Sequence, residues 1–403
     1  MKIAMLSVHS CPVGNLGGKD TGGMNVYIRE LARELGRRGH SVDIHTRAHD
    51  PREAQIVELA KGARLIHLEA GEVEDVHKLV VYSYLDEFAC SLENFRKRHG
   101  LEYDLIHSHY WLSGWAGRRI KDWWQVPHIT MFHTLGAVKN AIGVGEDDPE
   151  LRIQTERELA TGCDCIIAAT EAEKEQLVGY YNAPGEAISV IPCGVNLDLF
   201  QPVDREMARQ HLGFDGGSIA LFVGRIEPLK GIDRLLMAMT YLDKKEKVRL
   251  VVVGGDEQSQ PELERLQSLA HDLNIQDSVA FAGMVRQEEL PQYYSAADVC
   301  IIPSYYESFG LVALESLACG TPVVATRVGG MESVVSQDKT GYVVGDNNPH
   351  HLADKIAEIL SKPDSRAQIA AAARAAVARF SWVNIAEEIV QQYEAVLRDC
   401  ATR

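Results

Sequence analysis

The chain has 403 residues, 46% hydrophobic and 24% charged, an ordinary balance for a globular protein with the length of two to three domains. A formal net charge of −16 speaks against nucleic acid or an anionic membrane as a general partner. No apolar run approaches the ~18 residues that span a bilayer, and the opening Met1-Lys2-Ile3 leads only into a strand-length apolar run; no integral membrane segment or secretory signal is expected, and the expected location is cytoplasmic.

Residues 3–8 form the first strand-like run and 25–38 the first helical one, in which Val26, Ile28, Leu31, Ala32 and Leu35 approximate a 3.6 period before Gly39 closes it. Between them lies a loop with glycines at 14, 17, 18, 22 and 23. Glycines let backbone approach a ligand, and the helix start behind them offers N–H groups to an anion. The spacing is not G-x-G-x-x-G, and Thr46-Arg47 brings no acidic residue to the end of the second strand, so hydride transfer gains little support. Further strands are expected at 41–46, 64–68, 104–107, 128–132, 164–168 and 188–191. His107-Ser108-His109-Tyr110-Trp111 follows one of these and His133-Thr134-Leu135-Gly136 the next, polar aromatic clusters that suit carbohydrate. The His-x-His pair has no third histidine or carboxylate cluster at ligand spacing, so no metal is assigned. Eight cysteines form no C-x-x-C pair and are expected to be reduced and mostly buried.

The proline-bracketed segment 192–202 reads as a linker. The pattern then restarts, with strands expected at 219–223, 248–253, 278–281, 299–302, 322–325 and 341–344 and helices near 231–242, 261–274, 288–296 and 310–318. Near-continuous apolar strands alternating with helices imply parallel sheets covered on both faces. The fold class is therefore α/β, with two doubly wound domains, 1–195 and 196–380, facing a cleft. The last segment, 381–403, is helical with no strand after it and is free to pack back on the first domain. Such sheets take ligands at the carboxyl ends of their strands.

Two blocks in the second half sit there. In the first, 222–231, Arg225 and Lys230 lie five apart around a turn, so both heads can converge on one diphosphate beside a helix N-terminus. A departing nucleoside diphosphate gains charge as its glycosidic bond breaks, and two cations with a dipole answer that need. In the second, 303–315, Glu307 falls in the loop and Glu315 on the helix behind it, one carboxylate for sugar hydroxyls and the other for a ribose diol. Gly310 frees backbone amides for phosphate. No D-x-D occurs anywhere in the chain.

These blocks together resemble the retaining glycosyltransferases of the GT-B fold, the family that includes sucrose-phosphate synthases and the mycothiol-pathway inositol phosphate glycosyltransferases, with the mycothiol member nearest. The likeness runs over nearly the whole chain and rests on "GGMNVYI" at 22–28, "DLIHSHYWLSG" at 104–114, "HTLGAVKN" at 133–140, "FVGRIEPLKG" at 222–231 and the E-x7-E block "ESFGLVALE" at 307–315. The resemblance implies transfer of glucose or N-acetylglucosamine from a UDP-sugar co-substrate, with no metal or other cofactor. It places the acceptor in domain 1–195 and the nucleotide sugar in 196–380. Arg225 and Lys230 become the diphosphate clamp, Glu307 the holder of the donor sugar and Glu315 of the ribose. Gly22 and Gly23 lie against the phosphates, with Phe309, Gly310 and Leu311 on the donor side and His133 near the reacting centre. Asn25, Lys78, Tyr110, Thr134 and Arg152 match acceptor positions. The mycothiol member has two adjacent arginines where this chain has Arg152-Ile153; the missing arm weakens the case for inositol phosphate, and fructose 6-phosphate or an unphosphorylated acceptor also stays open. As plain helix-face charges, Lys78 would pair with Glu74 or Asp75 and Arg152 with Glu156. UDP-sugar epimerases with GT-B-like halves remain an alternative, as does sucrose synthase-type transfer, and a homodimer is left open.

Overall fold

The computed structural model describes residues 1–13, 22–214, 216–243, 247–362 and 366–402. Apolar runs of four to seven residues supply the strands of two sheets, each buried on both faces by helices, which is why side chains along most of these strands are buried throughout. The first sheet contains β1 (Lys2–Leu6), β2 (Ser41–Arg47), β3 (Ile56–Ala60), β4 (Ala63–Leu68), β5 (Leu105–His109), β6 (His128–Met131), β7 (Cys165–Ala168) and β8 (Ile188–Val190), in the order β3-β4-β2-β1-β5-β6-β7-β8. The second contains β9 (Ser218–Val223), β10 (Val248–Val253), β11 (Val279–Gly283), β12 (Val299–Ile302), β13 (Val323–Thr326) and β14 (Gly341–Val344), in the order β11-β10-β9-β12-β13-β14.

Every pairing is parallel except β3 with β4. Strand β3 departs from the sequence expectation, which held no strand there. It is an antiparallel edge strand, Ile-Val-Glu-Leu-Ala, with no fully buried residue, too short and isolated a run to be distinguished from the loop around it. In each sheet the winding reverses once, between β1 and β5 and between β9 and β12. Those reversals open a crevice at the carboxyl ends of the strands.

The helix Trp382–Ala401 buries Trp382, Ile385, Ala386, Ile389, Tyr393 and Val396, spaced along one face, and packs on the first domain's helix Gly23–Arg37. The chain thus crosses between the sheets twice. At the crossing, Val195 N donates to Phe380 O at 2.8 Å, and a methyl on Gly194 would stand 2.5 Å from the Trp382 ring, so only glycine fits. All eight cysteines are free thiols, five of them buried. No helix among the described residues is long and apolar enough to cross a membrane.

Candidate active site

Between the two sheets lies a cavity of about 380 Å³, lined by every residue to which the resemblance gave a donor, acceptor or catalytic role; of the two polar aromatic clusters, only Tyr110, His133 and Thr134 line it. The glycines at 14, 17 and 18 fall outside the described residues.

From the second domain, the loop after β9 carries Arg225 and Lys230, and the loop after β12 carries Glu307. Tyr305 N donates to Leu229 O at 2.8 Å, which fixes one loop on the other. Lys230 Nζ then donates to Glu307 Oε1 at 2.6 Å, and Ser304 Oγ donates to the same oxygen at 2.9 Å. Arg225 pairs with Glu227 at 2.9 Å and reaches the first domain, where a methyl on Gly22 would stand 3.9 Å from its Cδ. Gly310 starts the helix Leu311–Ala318 at φ +102°, with room for a Cβ only 2.2 Å from Met331 Cε. That left-handed turn demands glycine and aims the helix's first amides into the cleft. Phe309 is buried against Phe380. Glu315, in the second turn, is buried and accepts from Tyr294 Oη at 2.7 Å; burial pushes its pKa up to about 7.

From the first domain, Gly22 and Gly23 open the helix Gly23–Arg37 directly opposite. A methyl on Gly23 would lie 3.2 Å from Leu311 Cδ1, so two helix N-termini meet across the cleft. Their partial positive charges add at one place, where an anion is favoured. Asn25 is wholly buried. Its Nδ2 donates to Cys11 O at 2.7 Å and Ser10 Oγ at 2.9 Å, so its amide shapes the cleft floor.

His133 sits at φ +62° and shares a hydrogen with His109, Nε2 to Nδ1, at 2.9 Å. Burial, helped by His9, pulls its pKa down to about 3, so the ring is neutral. Behind it, His109 stacks on His107, which shares a hydrogen with Tyr393 Oη at 2.7 Å. The His-x-His pair is therefore the inner part of a buried ring stack reaching the C-terminal helix.

Arg152 lines the cavity but is 1% exposed. Its Nε donates to Glu156 at 2.7 Å, Nη1 to Asp148 at 2.8 Å, and Nη2 to Thr134 O and Oγ1 at 2.8 and 2.9 Å, with Tyr110 beneath the guanidinium. The pair with Glu156 forms as a helix-face reading expects, but in the interior rather than in water. The arginine thus anchors the 133–134 turn through Thr134. Lys78 pairs with neither Glu74 nor Asp75; among the described residues it makes no ion pair, and its charge acts on Asp148. Lys139 does pair with Asp148, at 2.9 Å.

Sequence reasoning passed over His9, Tyr27, Lys139 and Tyr306, which also line the cavity. Tyr306 Oη accepts from Leu135 N at 3.2 Å, a direct bond between the domains. Three of these had a signal: Tyr306 precedes the glutamate of the 307–315 block, Lys139 lies inside the 133–140 block and Tyr27 inside the 22–28 block.

Known proteins share this arrangement. The family described as Glycosyltransferase Family 4 matches residues 21–199, and Glycosyl transferases group 1 matches 204–376. A D-inositol 3-phosphate glycosyltransferase of Corynebacterium jeikeium is 41% identical over 98% of this chain and 96% of its own. The sucrose-phosphate synthase of Thermosynechococcus elongatus superposes with a TM-score of 0.92 at 35% identity, covering 99% of each chain. Anabaena HepE, solved in complex with UDP and glucose, shares the fold at a TM-score of 0.79 and 20% identity over 98% of this chain and 100% of its own. With both halves matched and the relatives covered end to end, the chain belongs to the GT-B glycosyltransferase family that includes sucrose-phosphate synthases and D-inositol 3-phosphate glycosyltransferases.

Proposed function

We propose that this glycosyltransferase moves glucose or N-acetylglucosamine from a UDP-sugar to a small phosphorylated acceptor, an inositol phosphate or fructose 6-phosphate, with retention of anomeric configuration and without a metal. The observation that carries the reading is the convergence on one cavity of Arg225, the Lys230–Glu307 pair and two helix N-termini. That set matches a diphosphate leaving group, whose charge grows in the transition state. UDP is the nucleotide in the HepE complex of the same fold. The acceptor side carries Lys78, Lys139 and Arg152. Arg152 and Lys139 already hold carboxylates, whereas Lys78 holds none, which leaves Lys78 for an acceptor phosphate.

Among the described residues, the carboxylates lining the cavity are Glu227, Glu307 and Glu315, each from the second domain and each with a partner in Arg225, Lys230 or Tyr294. Among those residues none is an unpartnered nucleophile from the opposite wall, as a double-displacement mechanism needs. This supports the reading of transfer on one face. The bond from C1 to the diphosphate oxygen breaks, the acceptor oxygen bonds C1, and the acceptor proton passes to the departing phosphate oxygen. Arg225 and Lys230 stabilise the diphosphate, Glu307 orients the sugar hydroxyls, and neutral His133 lies beside the reacting centre. Positioning supplies the rest of the rate.

The test is an acceptor screen with UDP-glucose and UDP-N-acetylglucosamine in excess EDTA, following released UDP and glycoside product. Inositol and fructose are compared with their phosphates in wild type and Lys78→Ala. A preference of at least ~10-fold in kcat/KM for the phosphorylated form, lost in Lys78→Ala, is the expected result. Equal use of both forms would overturn the phosphate reading. Turnover that needs added magnesium or manganese would overturn metal independence, and UDP-sugar isomerisation without acceptor would point to an epimerase.

A further inference from the structure

Away from the cleft, Cys11, Glu53 and His67 bring Sγ, a carboxylate oxygen and Nε2 within 4.8 Å of one another. Cys11 follows β1, Glu53 lies in the loop between β2 and β3, and His67 is on β4. None of the three lines the cavity between the domains. The loop that carries Glu53 is held at both ends on β4, by Ala48 N to Leu68 O and His67 N to Gln55 O, each at 2.8 Å. The three groups therefore sit on a rigid frame.

The proton positions show which atoms a cation would meet. His67 Nδ1 lies 2.8 Å from Ala54 O, and since a carbonyl can only accept, Nδ1 carries the hydrogen. In the neutral ring, Nε2 then presents a lone pair. That lone pair accepts from the Cys11 thiol, with Sγ at 3.5 Å, and Glu53 Oε1 stands 3.6 Å from it, so three ligand-type atoms face one another and the thiol proton is what a cation would replace. A backbone carbonyl fixing the far nitrogen is the usual second partner of a metal-binding histidine.

The spacing also fits. Zinc-to-sulfur and zinc-to-nitrogen bonds of about 2.3 and 2.0 Å at a tetrahedral angle put sulfur and nitrogen about 3.5 Å apart. His49 Nδ1 stands 3.2 Å from the other Glu53 oxygen, which orients that carboxylate, and its side chain is 32% exposed, which gives a path from solvent.

We propose that Cys11, Glu53 and His67, with His49 beside them, bind a borderline divalent cation such as Zn²⁺ at a site separate from catalysis. The cation would tie the segment after β1, the 48–55 loop and β4 together. It would also hold the Cys11 backbone, whose carbonyl accepts from the cleft residue Asn25.

The full chain, freed of metal by chelation, is titrated with Co²⁺ as a visible-absorbing stand-in for Zn²⁺. One equivalent should give tetrahedral bands and a thiolate-to-cobalt charge-transfer band, all displaced by Zn²⁺. Cys11→Ser should abolish the charge-transfer band and weaken binding at least ~100-fold, beyond the loss of an outer partner. Glu53→Gln, an isosteric change at a largely buried loop side chain, should weaken binding at least ~10-fold while leaving the metal-free Tm within a degree or so of wild type. Zn²⁺ should raise the Tm of wild type and not of Cys11→Ser. Failure of wild type to bind either metal, or an unchanged thiolate band in Cys11→Ser, would overturn the site. So would Glu53→Gln with wild-type affinity, and His67 and Glu53 would then be a plain ion pair.

Discussion

Lys230 and Glu307 hold each other at 2.6 Å, so in the proposed donor complex the diphosphate would share the ammonium with the carboxylate proposed to hold the sugar. Truncating the lysine removes transition-state charge and leaves Glu307 without its cation. We expect Lys230→Ala to lower kcat by ~100-fold or more, as loss of an oxyanion donor does. Arg225→Ala should act similarly, and the double variant should fall short of the product of the two, because both serve one leaving group. Steady-state kinetics check this, and near-normal kcat in Lys230→Ala contradicts it.

Glu315 adds a pH signature. Its pKa of about 7 means the acceptor-only carboxylate disappears as pH falls through that value. Donor kcat/KM should drop below about pH 7 in wild type and stay flat in Glu315→Gln. Residues of this kind were legible because each stands in a motif just after a strand. What Arg152 does was not, since its ties to Asp148, Glu156 and Thr134 depend on burial that spacing along a helix does not reveal. His9 had no motif around it at all.

At the level of elements, the parallel strands were legible as short runs rich in Ile, Val and Leu alternating with helical patterns, and the helices through period and closing glycines. Strand β3 was not, because it pairs antiparallel at the sheet edge, outside that alternation. The start of the helix Leu311–Ala318 shows how one residue sets an element's function. Gly310→Ala would put a Cβ at φ +102° against Met331 Cε. Strain of this kind costs about 1–3 kcal/mol, and relief tilts the helix start away from Gly23. We expect a lower urea midpoint together with a raised donor KM. A variant with wild-type stability and wild-type KM would show that the helix start is not held where the cleft needs it.

Over the whole molecule, stability should follow buried imidazoles. Burial holds His45 at about 4, His107, His128 and His133 at about 3, and His109 well below the ordinary 6.5. In the unfolded chain these rings protonate near 6.5, so below that pH the unfolded state binds more protons and folding stability falls with pH, by up to ~1.4 kcal/mol per unit per ring. Glu173 and Glu315, both raised to about 7, have the opposite sign: the stability of their neutral burial is lost as pH rises from 4.5 to 7. Five rings outweigh two carboxyls, so the Tm should fall as pH drops from 6.5 to 5, and a flat or rising Tm in thermal melts contradicts it.

The two domains themselves could be read from the restart of the strand pattern, but not the way the chain joins them. Residues 194–196 leave the first domain, 380–382 return to it, and the bond from Val195 N to Phe380 O fastens the two spans side by side. A door hung on two pins swings about one axis and cannot swivel. Any opening of the cleft would likewise be confined to a single arc, which would return Arg225 to Gly22, and Tyr306 to Leu135, at the same place. The alignment that the proposed single-face transfer requires would then be set at a pivot remote from the reacting atoms.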